Sequence, residues 1–235
     1  MADESQEIER IQRVYAAYAA EGLGKSKWSF NNRGNVAIIQ ERTAVLLAIL
    51  EAAGYLPLAG KHILEVGCGG GRVLKELISL GADASRLCGV DLLPDRIESG
   101  KCDLPDVSLR VADARHLPFG NDSFDLVMVF TVFSSILDVG AACQVAGEIS
   151  RVLKPGGAVV SYDFQYNNPR NPNVRGIKRT EIQAYFPGFS VFGKRLTLLP
   201  PLARRLGLLT RFAYPLLAVI PLLRTHFMAA LVKPM

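Results

Sequence analysis

Three carboxylates and one run of glycines have the types and spacing for ligand chemistry. Glu65 stands two residues before Gly67, and Cys68, Gly69, Gly70 and Gly71 follow. Asp91 comes about 20 residues after the loop, and Asp113 closes a later short apolar run. Glycines let backbone N–H groups approach a ligand closely. Carboxylates accept hydrogen bonds from hydroxyl and amino groups. Such a set suits a ligand with hydroxyls, an amino group and a positively charged end.

These residues must be held by regular elements. Ile63-Leu64-Glu65-Val66 reads as a buried strand. Arg72 to Ile78, with apolar residues at 73, 74, 77 and 78, reads as a helix with one apolar face. The unit is therefore strand, glycine loop, helix, the nucleotide-type site of a doubly wound sheet. A dinucleotide loop places its third glycine five residues after the first. Here that position is Arg72. Glu65 would repel a pyrophosphate but suits an ammonium group. The loop therefore disfavours NAD and a dehydrogenase, and favours S-adenosylmethionine, whose amino-acid end is cationic.

The rest of the chain is read in order. Residues 3–21 are predicted helical, with Asp3 and Gln6 spaced for a capping box. Residues 26–34 read as loop and hold the single tryptophan, Trp28, beside Phe30, as a plug or a lid. A helix is expected over 35–53, with Ile39, Thr43, Leu46, Leu47 and Leu50 as its buried stripe. Strands are predicted at 61–66, 86–91, 107–112, 124–130 and 158–162. Helices are predicted at 70–80, from Pro94, and at 139–152. Such alternation implies a mainly parallel sheet covered on both faces.

Ligands in these sheets sit beyond the carboxyl ends of the strands. Asp91 ends the second strand, where it can accept from ribose hydroxyls. Asp113 ends the third, where it can accept from an adenine amino group. Phe130-Thr131-Val132-Phe133 ends the fourth as an apolar shelf.

With these residues the chain resembles the class I S-adenosylmethionine-dependent methyltransferases, in the broad group that includes ubiquinone and menaquinone biosynthesis enzymes. Glu65 to Gly71, Val90-Asp91-Leu92, Ala112-Asp113-Ala114 with Leu117-Pro118-Phe119, Asn121 to Val127, and Arg151 to Gly157 carry the resemblance over residues 61–163. It implies S-adenosylmethionine as cofactor, bound by Glu65, Gly67, Gly69, Gly71, Asp91, Leu92, Asp113, Ala114 and Phe130. It also implies a Rossmann-like α/β fold with a seven-stranded, mainly parallel sheet, an antiparallel last strand and an N-terminal helical cap. Residues 189–199 fit the sixth strand and His226 to Val232 the seventh; Pro200 to Arg224 reads as a helical insert. One domain spans 1–235, with the cap over 1–58, the cofactor core over 59–165, and acceptor-side and C-terminal strands over 166–235.

The resemblance leaves the acceptor open. Base candidates are His116, Tyr162, Asp163 and His226, with Asp163 and His116 ranked first as catalytic residues on position. Tyr162 to Gly176 is rich in side-chain amides, aromatics and arginine. Amides with aromatics suit a sugar, and arginine suits a phosphate or carboxylate. That segment, with Leu222 to His226, resembles methyltransferases encoded with bacterial surface-polysaccharide genes. The expected reaction is O-methylation of a small-molecule or glycan hydroxyl, on a surface polysaccharide or its lipid-linked precursor. The alternatives are methylation of a quinone or polyketide-like ring, and a nucleoside-binding module without turnover.

Composition sets the remaining bounds. Net charge is +5, with arginines gathering in the C-terminal third. No aromatic-interleaved basic motif accompanies them, so nucleic acid is not the expected partner. The four cysteines lack metal-site spacing, and no metal is expected. The polar N-terminus is no signal peptide, and a cytoplasmic protein is expected. Leucines at 198, 199, 202, 206, 208 and 209 accompany Arg204, Arg205 and Arg211, a pattern that packs on the sheet or lies on an anionic membrane surface.

Overall fold

The computed structural model describes residues 4–22 and 29–235. The Asp3 capping box and the Trp28 plug or lid lie outside the described residues. The chain runs α1 (Glu4–Ala20), α2 (Arg33–Ala52), β1 (Ile63–Val66), α3 (Arg72–Ser79), β2 (Leu87–Asp91), α4 (Pro94–Asp103), β3 (Ser108–Val111), β4 (Phe124–Phe130), α5 (Val139–Val152) and β5 (Leu153–Phe164). It continues through α6 (Arg179–Tyr185), β6 (Ser190–Leu198), α7 (Pro200–Arg205), α8 (Thr210–Ala218) and β7 (Arg224–Val232).

The seven strands form one sheet in the order β3-β2-β1-β4-β5-β7-β6. β1 pairs in parallel with β2 and β4, and β7 is antiparallel to both β5 and β6. The central strands are near-continuous apolar runs because both faces are covered. On one face Ile63, Leu87 and Met128 pack with Leu46, Leu50, Leu74 and Leu77. On the other, Leu64, Val127 and Val129 pack with Val145, Ala146 and Ile149 of α5. Parallel crossovers place the carboxyl ends of β1 to β5 on one edge, with the connecting loops above it.

Several expectations need correction. α2 buries Gly34, Asn35, Ile38, Val45, Leu46, Ile49 and Leu50, so Ile39, Thr43 and Leu47 flank the buried stripe. At the start of the helix the burial comes from a long-range contact. A Cβ on Gly34 would lie 2.1 Å from the Ala203 carbonyl oxygen, so the backbone of α7 rests directly on this glycine. Asn32 caps α2 by accepting from the Gly34 and Asn35 N–H groups, and donates to the Arg204 carbonyl at 3.1 Å. β5 is longer than the predicted 158–162, because the turn at 154–157 is an irregularity inside the strand. The insert is not one helix. Pro200 and Pro201 open α7, Gly207 takes φ +52, and Pro221 starts a further short turn. Pro215 sits within α8, where it removes a backbone donor. α6 was not expected.

Candidate active site

The loop after β1 is set by backbone bonds. The Gly67 and Cys68 N–H groups both donate to the Val90 carbonyl, at 2.8 and 3.0 Å. Gly67 takes φ +70, and a Cβ there would lie 2.6 Å from Val132 Cγ2. Only glycine satisfies both the left-handed backbone and the close approach of the β4 edge. Asp91, at the end of β2, ties the next turn to this loop. Its Oδ2 accepts from the Gly69 N–H at 2.8 Å and its Oδ1 from the Leu93 N–H at 2.9 Å. Asp113, after β3, accepts from the Arg115 N–H and forms an ion pair with the Arg115 guanidinium at 2.9 Å.

These turns border a cleft of about 1240 Å³. A pocket for one drug-sized ligand occupies about 300–1,000 Å³, so there is room for a cofactor and an acceptor together. Of the residues expected to bind the cofactor, Gly67, Asp91, Leu92, Asp113, Ala114 and Phe130 line it. Glu65, Gly69 and Gly71 are not among the lining residues. Gly69 donates its N–H to Asp91, and Gly71 packs on Leu104, just past the end of α4. Glu65 is buried beneath the loop, where burial pushes its carboxyl well up despite the nearby Arg42 guanidinium. Its Oε2 and the Arg42 Nε have no hydrogen-bond partner among the described residues. Arg42 also pairs with Glu76 and lies over the Phe130 ring, 5.4 Å from its centroid.

The roof of the cleft is α1. Ile8, Ile11, Tyr15 and Tyr18 form one stripe facing it. Tyr15 shares a hydrogen bond with Ser135 Oγ at 2.8 Å, and Arg10 donates to the Ser135 carbonyl. Glu7 accepts from the Leu137 N–H at 2.7 Å, and Tyr18 donates to Asn171 Oδ1 at 3.0 Å. The Arg96 guanidinium of α4 lies over the Tyr15 ring. Sequence reasoning missed these residues, although the 3-4-3 spacing of the stripe was available. Thr131 at the β4 end takes φ +58, a left-handed backbone that a β-branched residue adopts only when its surroundings hold it there.

Neither residue ranked first as a catalytic base lines the cleft. His116 is exposed outside it. Asp163 is buried beneath the turn after β4, with Oδ1 accepting from the Ser134 N–H at 3.1 Å and Oδ2 without a partner among the described residues. Alternation along β5 explains the placement, since neighbouring residues point to opposite faces. Burial pushes the Asp163 carboxyl up to about 7, with the Ser134 hydrogen bonds and Arg175 acting the other way. On the opposite face Tyr162 bonds Thr197 at 2.7 Å and stacks on His226, whose centroid is 4.8 Å away. Burial holds His226 down to about 3, so it is neutral. None of the chain's three histidines lines the cleft.

Its lining carboxylates are already engaged: Glu7 with Arg10, Asp91 with two N–H groups, Asp113 with Arg115. Beyond β5 the wall is formed by Phe164 and by Tyr166 to Val174, then by Leu199, Pro200, Pro201 and Arg204 of the insert.

Residues 63–157 match the family model described as "Methyltransferase domain". The chain is 32% identical over 114 residues to a ubiquinone biosynthesis O-methyltransferase of Azorhizobium caulinodans, covering 47% of this chain and 43% of that protein. It is 32% identical over 144 residues to a demethylmenaquinone methyltransferase of Lactobacillus johnsonii, covering 59% and 55%. The chain thus spans about half the length of the curated relatives it matches. Among solved structures, a Burkholderia thailandensis 1,6-didemethyltoxoflavin-N1-methyltransferase, with bound S-adenosylhomocysteine, superposes with a TM-score of 0.68. It covers 100% of this chain and 92% of that one at 14% identity, a likeness of fold. The [4+2]-cyclase SpnF shares the fold too, with a TM-score of 0.59 at 16% identity over 82% of this chain and 81% of that one. Fold alone therefore does not decide the reaction.

Proposed function

We propose that this chain, a member of the class I S-adenosylmethionine-dependent methyltransferase family, transfers a methyl group to a small-molecule acceptor that ionises readily, such as a hydroxyl on a quinone-like ring. One observation carries the acceptor class: among the described residues the cleft is lined by no imidazole, and every lining carboxylate is engaged. An acceptor with a weakly acidic hydroxyl needs little help in losing its proton, whereas an aliphatic alcohol depends on a positioned base.

The residues present fit S-adenosylmethionine. Asp91 would accept from the ribose hydroxyls and Asp113 from the adenine amino group. The Gly67 turn would receive the amino-acid end, above the orphaned Glu65 acceptor and Arg42 donor. When bound, the cofactor supplies an electrophilic methyl group on its sulfonium. This chain's part is to hold the acceptor close and in line. α1 lines one side of the cleft, and the Phe130 to Val132 shelf lines it at the end of β4.

A second reading, methylation of a sugar hydroxyl on a glycan or its lipid-linked precursor, is favoured by Asn167, Asn168, Arg170, Asn171 and Asn173 on the cleft wall. Side-chain amides and a guanidinium suit polyols and anionic carriers. Both readings admit a lipid-borne acceptor. Calorimetry with S-adenosylhomocysteine and NAD tests the cofactor, and binding of NAD alone overturns it. Label transfer from S-adenosylmethionine to a panel of hydroxylated quinones and sugars then tests the acceptor. Turnover of sugars alone replaces the first reading with the second. Binding without any turnover leaves a nucleoside-binding module.

A further inference from the structure

Helix α8 is packed inside out. Its buried residues are Thr210, Tyr214 and Ala218. Its large aliphatic and aromatic residues face outward: Phe212 is 68% exposed and Leu216 70%. Val219 continues the same stripe at i, i+4, i+7 spacing. The flanking short turns add Leu208 at 76% and Leu222 at 84%. Burial would have selected the reverse arrangement. Apolar residues this densely exposed in one segment mark an interaction surface.

Charge identifies what covers it. The chain's last acidic residue is Glu181, and seven lysines and arginines follow among residues 182–235. Arg205 and Arg211 are exposed within the insert itself, and the Arg211 guanidinium lies 6.0 Å from the Phe212 ring centroid. A second copy of the chain would bring the same arginines face to face in a two-fold contact. An anionic lipid surface satisfies both the apolar stripe and the arginines.

We propose that residues 199–223 dock the protein on an anionic bilayer, with Phe212, Leu216 and Val219 entering the headgroup boundary and Arg205 and Arg211 meeting lipid phosphates. The contact is peripheral, since no helix among the described residues is long and apolar enough to cross a membrane. The insert begins in the cleft wall, at Leu199, Pro200, Pro201 and Arg204, so docking brings the acceptor side of the cleft next to the lipid. This deepens the methyltransferase reading and rests on it: the acceptor is taken from the bilayer.

Co-sedimentation with phosphatidylcholine vesicles, with and without phosphatidylglycerol, tests the docking. Binding to the mixed vesicles is expected, weakening as salt rises. Arg205→Ala with Arg211→Ala should weaken it about 25-fold, at about fivefold per arginine, with no change on neutral vesicles. Phe212→Glu with Leu216→Glu should weaken binding to both at least about a hundredfold. Wild-type protein left in the supernatant overturns the proposal. So does binding that survives the glutamate pair, or a dimer in light scattering that the same pair dissociates. S-adenosylhomocysteine calorimetry on each variant reports its fold. If the glutamate pair misfolds, the exposed arginine pair carries the test. Absence of S-adenosylhomocysteine binding in the wild type sinks the methyltransferase reading without touching the vesicle result.

Discussion

On the β1–β3 side of the cleft, the groups that face a ligand are held by nearby backbone. Asp91 is fixed by the Gly69 and Leu93 N–H groups, Asp113 by the Arg115 N–H, and Gly67 by the Val90 carbonyl. On the β4–β7 side they are held by side chains distant in sequence. Tyr18 reaches Asn171, Tyr15 reaches Ser135, and Arg204 reaches Asn35. The first kind of site is written in short motifs. The second exists only after the chain has folded, because its partners are brought together from distant parts of the sequence.

Five changes break or sharpen this contrast. The largest effect is expected where a charge is trapped behind the acceptor side. Asp163 has a folded-state value near 7 against an ordinary 3.8. Its contribution is therefore fully present below pH 3.8 and lost as pH rises through 7, an interval that corresponds to about 4 kcal/mol. Asp163→Asn should match the wild type in denaturant stability near pH 4 and exceed it at pH 8 by up to that amount. An equal difference at both pH values would show that Asp163 is not the titrating group.

Gly67→Ala comes next. A left-handed backbone and a Cβ 2.6 Å from Val132 should together cost about 3 kcal/mol, read as about a hundredfold loss of S-adenosylhomocysteine affinity by calorimetry. Asp91→Ala removes charge-assisted bonds to two N–H groups and the proposed ribose contact, and about 2 kcal/mol of binding should go with it. Unchanged affinity in a folded variant would move the ribose elsewhere. Asn171→Ala leaves the Tyr18 hydroxyl without its acceptor, and about 1 kcal/mol should be lost from acceptor kcat/KM with cofactor affinity unchanged. A matching loss of cofactor affinity would erase the division between the two sides. His116→Ala should change neither activity nor cofactor binding, because the side chain is exposed outside the cleft.

Much of the fold was legible for the same reason as the first kind of site. β4 and α5 begin and end as predicted, at Phe124–Phe130 and Val139–Val152, because Asp138 caps α5 locally and apolar runs mark the strand. The insert was less so. Its prolines were visible, but their effect was a set of short turns rather than one helix. The burial of Gly34 at the start of α2 is not legible locally, because its contact with Ala203 joins residues far apart in sequence. Asp163 is a base candidate on its position at the close of the fifth strand. Which face of β5 it takes depends on the pairing register with β4 and β7, which joins residues far apart in sequence. The cleft's roof was a readable stripe in α1, yet nothing in that helix says which surface it covers.

The attachment of α1 bears on how such a protein changes over generations. Among the described residues the helix meets Ser135, Leu137, Asn171 and the Arg96 guanidinium, and of its apolar residues Ile11 packs against a core cluster. The matched family domain begins later, at residue 63. Substitutions in α1 can therefore reshape the roof of the cleft while the sheet and the glycine loop stay as they are. If the proposed methyltransferase reading holds, α1 and the 199–223 insert are free to vary with the acceptor, and variation should accumulate there before it reaches β1 to β4.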